Sequence, residues 1–101
     1  TEIENGLHAS LAETSLMLAL KPELVGDQRP NEGIKEQIPD GWSLEGNAPT
    51  AWLTDDFSKS GVIGDSRGAN ESLGKNLKEL LINHWFKLIM NLMQSDWPNN
   101  S

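Results

Sequence analysis

His8 and Glu13 are the residues of this chain whose types and spacing most readily carry chemistry. An imidazole two residues ahead of a helix start lies near the positive end of the helix dipole, which favours its neutral form. Such a histidine can accept a proton near neutral pH. The bland reading of the same residue is a structural hydrogen-bonding histidine. Glu13 follows Ser10 by three residues, the spacing of a capping box in which each side chain satisfies a backbone N–H of the first helical turn. That accounts for Glu13 structurally, and the functional alternative is that it also orients His8 or meets substrate. Asp55 and Asp56 form either a carboxylate pair for acid/base or metal work or a solvated turn, and the turn is favoured. Asp65, between Gly64 and Ser66, reads most simply as an Asx-turn residue. His84 falls among Leu77, Leu81 and Leu88 on an apolar face, where a packed, hydrogen-bonded histidine is expected. With two histidines far apart and no His-x-His or His-x-Glu arrangement, local spacing assembles no metal site.

The elements that must position these residues follow from pattern. A helix is expected to start at Ser10, with Leu16, Met17 and Leu20 on its apolar face, and to stop before Pro22 after about two and a half turns. Pro22 then opens a short helical turn ended by Gly26. Residues 1–9 read as an irregular, acidic lead-in with a turn at Asn5-Gly6. From Asp27 to Pro49 the chain is rich in Gly, Pro, Asn, Asp and Glu, with isolated apolar residues at Ile34, Ile38, Trp42 and Leu44. This is a loop of roughly 23 residues, long for a compact domain, and Trp42 is expected to pin it. Thr50–Thr54 is the best strand candidate, and Gly61–Ile63 a second short extended piece. Asn70 caps a long amphipathic helix over residues 71 to about 94, which would span about 35 Å. Trp52 and Trp85 are expected to be core or interface anchors. Asp96–Ser101 reads as a frayed tail.

The stretch His8-Ala9-x-x-x-Glu13-Thr14-Ser15-Leu16-Met17-Leu18-Ala19-Leu20-x-Pro22-Glu23-Leu24-Val25 resembles the creatininase (creatinine amidohydrolase) family segment written His-Ala-Gly-Glu-x-Glu-Thr-Ser. Ser10 stands for the common Gly and Leu11 for the common Glu. Ala51-Trp52-Leu53-Thr54 and Ser60-Gly61-Val62-Ile63-Gly64-Asp65 resemble the family's late Ala-Trp and Gly-Val-x-Gly-Asp-Pro elements, in the same order. The resemblance implies an α/β chain: the C-terminal segment, residues 1–101, of a single three-layer creatininase-like domain typically more than twice as long. Thr1 in place of an initiator methionine fits a processed, trimmed or excised piece. It also implies His8 as acid/base beside a metal-bound water, Glu13 in support, and divalent metal ions of the Zn or Mn class whose ligands lie outside this chain. In the implied mechanism a bridging water attacks an amide carbonyl, and the histidine passes a proton to the leaving nitrogen. Glu4 and Asn5 stand where creatinine-hydrolysing members carry a Trp-Asp pair, which argues against creatinine as the substrate. The expected partners are a small-molecule amide and either further copies of the chain or a missing N-terminal part. By itself the segment is expected to be inactive. The rival reading is a non-catalytic assembly or partner-binding module, drawn from the long apolar face of residues 73–93.

Composition bounds these readings. At 101 residues the chain is one domain at most, and its 37% apolar content is low against about 45–50% for ordinary domains, so other surfaces are expected to complete its core. Fifteen acidic against eight basic residues give a net charge of −7, which opposes nucleic acid as a partner. No run approaches the ~18 apolar residues of a membrane span. Without cysteine there are neither disulfides nor thiolate sites, and a cytoplasmic setting is expected.

Overall fold

The computed structural model describes residues 1–33 and 38–98. Four elements organise the chain: a single-turn helix α1 (Glu2–Asn5), helix α2 (Leu11–Leu20), the long helix α3 (Glu71–Gln94), and a two-residue antiparallel pair, β1 (Asn31–Glu32) with β2 (Gly64–Asp65). It is a mixed fold of helices plus a small two-stranded sheet, in keeping with an α/β class. Asn31 pairs with Asp65 and Glu32 with Gly64, and just upstream of β2 Ile63 forms an antiparallel bridge with His8.

Each helix starts and stops for a local reason. At α3 the Asn70 side chain accepts from the Leu73 N–H at 2.8 Å, as its residue type led us to expect. Pro22 ends α2 and opens a 3₁₀ turn over Pro22–Leu24. The lead-in is not irregular. The Thr1 hydroxyl accepts from the Glu4 N–H and closes α1.

Helices α2 and α3 meet at Gly74, where a Cβ would collide with the Ser15 carbonyl and lie 2.9 Å from the Ala19 Cβ. Ser15 is fully buried in this seam and accepts from the Asn70 N–H at 3.0 Å. Elsewhere Leu44, Val62 and Ile63 are buried, as are Ser58 and Ser66.

Three expectations fail. Thr50–Thr54 is not a strand: backbone pairing stops at the single Ser43–Pro49 bridge, where the Thr50 N–H donates to the Ser43 carbonyl, and Thr54–Asp56 forms a 3₁₀ turn capped by Asp56, which accepts from the Leu53 N–H at 2.8 Å. Trp42 does not pin the long loop, since it is 57% exposed. Among the described residues of the loop Leu44 is the buried one, its carbonyl accepting from Trp52 Nε1 at 3.1 Å, and Trp52 packs edge-on to Phe57 at 5.8 Å. Ile34, named above with this loop, and residues 99–101 of the tail lie outside the described residues. Finally, His84 is exposed rather than packed, and Trp85, 59% exposed, does not anchor this chain's own core. The ten residues of α2 meet α3 around Gly74 and leave the later turns of α3 uncovered, so Leu80, Ile82, Phe86 and Met93 are each more than half exposed. Among the described residues, no helix is long and apolar enough to cross a membrane.

Candidate functional site

His8 sits where the chain leaving α1 is clamped to the segment before β2. The N–H groups of Leu7 and His8 both donate to the Ile63 carbonyl, at 2.9 and 3.2 Å, and the Ile63 N–H returns a bond of 2.9 Å to the His8 carbonyl. This backbone clasp brings the imidazole to Gly61, whose carbonyl lies 2.5 Å from Nδ1. A carbonyl oxygen only accepts, so Nδ1 carries the hydrogen. In the neutral ring the lone pair then resides on Nε2, on a side chain open to solvent.

Immediately after it, Ala9 has φ 48°, a left-handed conformation that is uncommon for a residue with a Cβ. Both backbone polar groups of Ala9 are taken up by α2. Its N–H donates to Glu13 Oε2 at 2.6 Å, and its carbonyl accepts from Thr14 Oγ1 at 2.8 Å. The Glu13-Thr14-Ser15 triplet therefore has three separate tasks: two hold the residue after His8, and Ser15 ties the start of α3. Glu13 reaches His8 through the Ala9 amide and by no direct side-chain bond.

The expected capping box is thus replaced. The Ser10 hydroxyl makes no cap bond; it donates to Glu2 Oε2 at 2.6 Å and accepts from the Asp65 N–H at 3.0 Å. The α2 amide that it would have served, or one beside it, is met by Glu2, whose Oε1 accepts from the Ala12 N–H at 2.9 Å. The physical reason is the turn at Ala9, which presents the Ala9 N–H to Glu13 and rotates Ser10 toward β2.

The turn that presents the Gly61 carbonyl is itself held from a distance. Glu32 accepts from the Lys59 N–H at 2.6 Å and the Ser60 N–H at 3.0 Å. Ser58 Oγ accepts from the Gly61 N–H at 3.1 Å, and Ser60 Oγ accepts from the Val62 N–H at 3.2 Å. The Ser60 hydroxyl, followed by the Lys59 and Ser60 amides, holds the Glu32 carboxyl down to about 2. No local sequence signal marks Glu32, because its partners lie 27 and 28 residues away.

Asp65 is the Asx-turn residue its neighbours indicate. Its Oδ1 accepts from the Arg67 N–H at 3.0 Å, and the Arg67 guanidinium grips both carboxylate oxygens at 2.9 and 2.8 Å, which lowers the carboxyl to about 2. Asp55 and Asp56 lie in the 3₁₀ turn. A cleft of about 690 Å³ opens between α1 and β2, lined by Glu2, Glu32 and Asp65 among others, and His8 is not part of its wall. Among the described residues, no group of three or more His, Cys, Asp or Glu side chains is placed to hold a metal ion. The carboxylates of Glu2, Glu13, Glu32 and Asp65 are already committed to backbone amides or to Arg67. These residues do not by themselves fit the divalent ions on which family members generally depend.

No curated protein sequence and no solved structure matches the chain. The Creatininase family model, described as creatinine amidohydrolase, matches residues 1–89, a span that holds the His8 clasp, the Glu13-Thr14-Ser15 triplet and the Gly61 turn. With that span covering most of its 101 residues, the chain belongs to the creatininase family.

Proposed function

We propose that this chain supplies the proton-transfer region of a metal-dependent amidohydrolase that hydrolyses the C–N bond of a small amide. The observation that carries this reading is the His8 imidazole, fixed through Nδ1 on the Gly61 carbonyl with Nε2 left open, inside the segment that the family model matches. His8 Nε2 takes up a proton and returns one to the leaving nitrogen, within the role open to a neutral imidazole near pH 7. Glu13 and Thr14 act as positioning residues, fixing the strained Ala9 and with it the direction in which His8 leaves the backbone. The divalent ions of the Zn or Mn class that the family uses would take their ligands from outside this chain. The order of the motifs supports placing residues 1–101 in the C-terminal part of a three-layer α/β domain.

The test is metal content and turnover, by elemental analysis of the purified protein at its native length alongside a panel of small amides. Tightly held divalent ions and hydrolysis of at least one amide are expected. Neither metal nor turnover would sink the enzyme reading and favour the second one, a non-catalytic assembly or partner-binding module. The open side of α3, where Leu80, Phe86 and Met93 are 64–73% exposed, is the observation that favours that alternative.

A further inference from the structure

Between β1 and the histidine runs a continuous relay of hydrogen bonds whose far end is a single carboxylate. The pairing of Glu32 with Gly64 fixes Glu32 beside the turn before β2, although the pair of strands is only two residues long. From there its two oxygens take the consecutive amides of Lys59 and Ser60. Ser58, 4% exposed, holds the next amide, that of Gly61, and its hydroxyl lies 3.3 Å from that of Ser60. Gly61 itself has φ +90°, which a residue with a Cβ rarely adopts. With its N–H tied back to Ser58, the peptide unit that follows is turned so that the Gly61 carbonyl points at His8 Nδ1.

We propose that Glu32 is a positioning residue for His8: by holding the 58–61 turn it keeps the Gly61 carbonyl on Nδ1 and so keeps Nε2 as the unprotonated, proton-accepting nitrogen. The inference rests on the reading of His8 as the proton-transfer group, and it adds a residue from a separate strand to that machinery. The logic is that of an orienting acceptor behind an imidazole, where the partner of one ring nitrogen decides which nitrogen carries the hydrogen. Here the acceptor is a backbone carbonyl, and the carboxylate acts one step further back by fixing that carbonyl. A Glu32 carboxyl held at about 2 remains ionised throughout the neutral range, so this brace does not switch off near pH 7. Glutamine at this position keeps the shape but replaces one accepting oxygen with an N–H₂ that faces a backbone donor.

The experiment reads the tautomer directly and needs no substrate. Long-range ¹H–¹⁵N correlation spectra of the full chain, taken above the titration of its imidazoles, distinguish the pyrrole-type from the pyridine-type nitrogen of each ring. His84, exposed on α3, serves as the internal reference. In the parent chain His8 is expected in the Nδ1–H form. In Glu32→Gln the pyrrole-type resonance is expected to pass to Nε2 as the dominant form, with the Lys59 and Ser60 amide protons moving upfield; Glu32→Asp restores part of the Nδ1–H population. If Glu32→Gln loses amide dispersion altogether, Ser58→Ala, which removes the acceptor of the Gly61 N–H together with the contact to the Ser60 hydroxyl, is read in its place and carries the same expected shift. A parent chain in the Nε2–H form, or a folded variant whose Lys59 and Ser60 amides move while His8 stays Nδ1–H, overturns the proposal. An absence of hydrolysis in the amide panel is a separate result that bears on the role of His8 and leaves the tautomer reading intact.

Discussion

Amide hydrolysis by the protein at its native length is expected to fall by about 10²–10⁴-fold in kcat when His8 is replaced by alanine, the range in which positioned acid/base groups act. The KM is expected to change little, because a group that moves a proton in the transition state contributes to the barrier rather than to uniform substrate binding. The variant should also remain folded. The clasp between residues 7–8 and Ile63 is made by backbone groups, and the imidazole contributes only its bond to Gly61 while facing solvent. Metal content should be unchanged, since His8 already commits Nδ1 to a carbonyl and joins no cluster of ligands among the described residues. The measurement is steady-state kinetics on whichever amide is turned over, with elemental analysis of the same samples. An undiminished kcat would remove His8 from the chemistry, whatever its geometry.

Stability should respond most to Gly74. In an exposed stretch of helix, glycine to alanine stabilises by about 1 kcal/mol, because alanine loses less backbone freedom on folding. At Gly74 the sign should reverse. The added Cβ would run into the Ser15 carbonyl, a backbone group that cannot rotate away, and come within 2.9 Å of the Ala19 Cβ. Parting α2 from α3 to make room would also stretch the bond from the Asn70 N–H to Ser15 Oγ. Overpacking of about 1–3 kcal/mol and part of a hydrogen bond worth about 0.5–1.5 kcal/mol outweigh the propensity gain. A net loss of about 2 kcal/mol is expected, or on the order of 10 °C in thermal midpoint for a chain this short. Circular dichroism melts of the parent and Gly74→Ala chains decide the matter. A raised midpoint would mean that the helices do not meet at this residue.

What could be read from the sequence divides by distance along the chain. Both long helices were legible because their signals are local: Pro22 stops α2 and Asn70 caps α3, whereas the packed face was not, since Met17 and Leu20 of the expected α2 face are exposed and Ser15 is the residue buried. The 3₁₀ turn at Pro22 and the Asx turn at Asp65 were legible for the same reason. The capping box at Ser10 and Glu13 had the right residues but the wrong partners, since a positive φ at Ala9 is not written in an alanine. Thr50–Thr54 has strand-like composition, but a strand also needs backbone pairing along its length, and here the pairing ends at the Ser43–Pro49 bridge and the bond from the Thr50 N–H to the Ser43 carbonyl. The two-residue sheet is too short to leave any periodicity. Of the candidate site, His8 and Glu13 were visible as residues and Glu32 was not, because the relay from β1 closes only in three dimensions.

The enclosed hydroxyls have a thermodynamic consequence. Ser10, Ser15, Ser58 and Ser66 are buried where many folds place hydrocarbon, and among the described residues only Leu44, Val62 and Ile63 join them as buried apolar side chains. Heat capacity rises on unfolding in proportion to the apolar area uncovered and falls with the polar area, for a usual net of about 12–15 cal/mol/K per residue. An interior tied by serine hydroxyls uncovers little of the first and more of the second. The increment should therefore fall below that range, and the stability curve of the chain should be broad and shallow. Cooling would then weaken the fold only gradually, because little of its strength comes from hydrocarbon hydration, the contribution that fades in the cold.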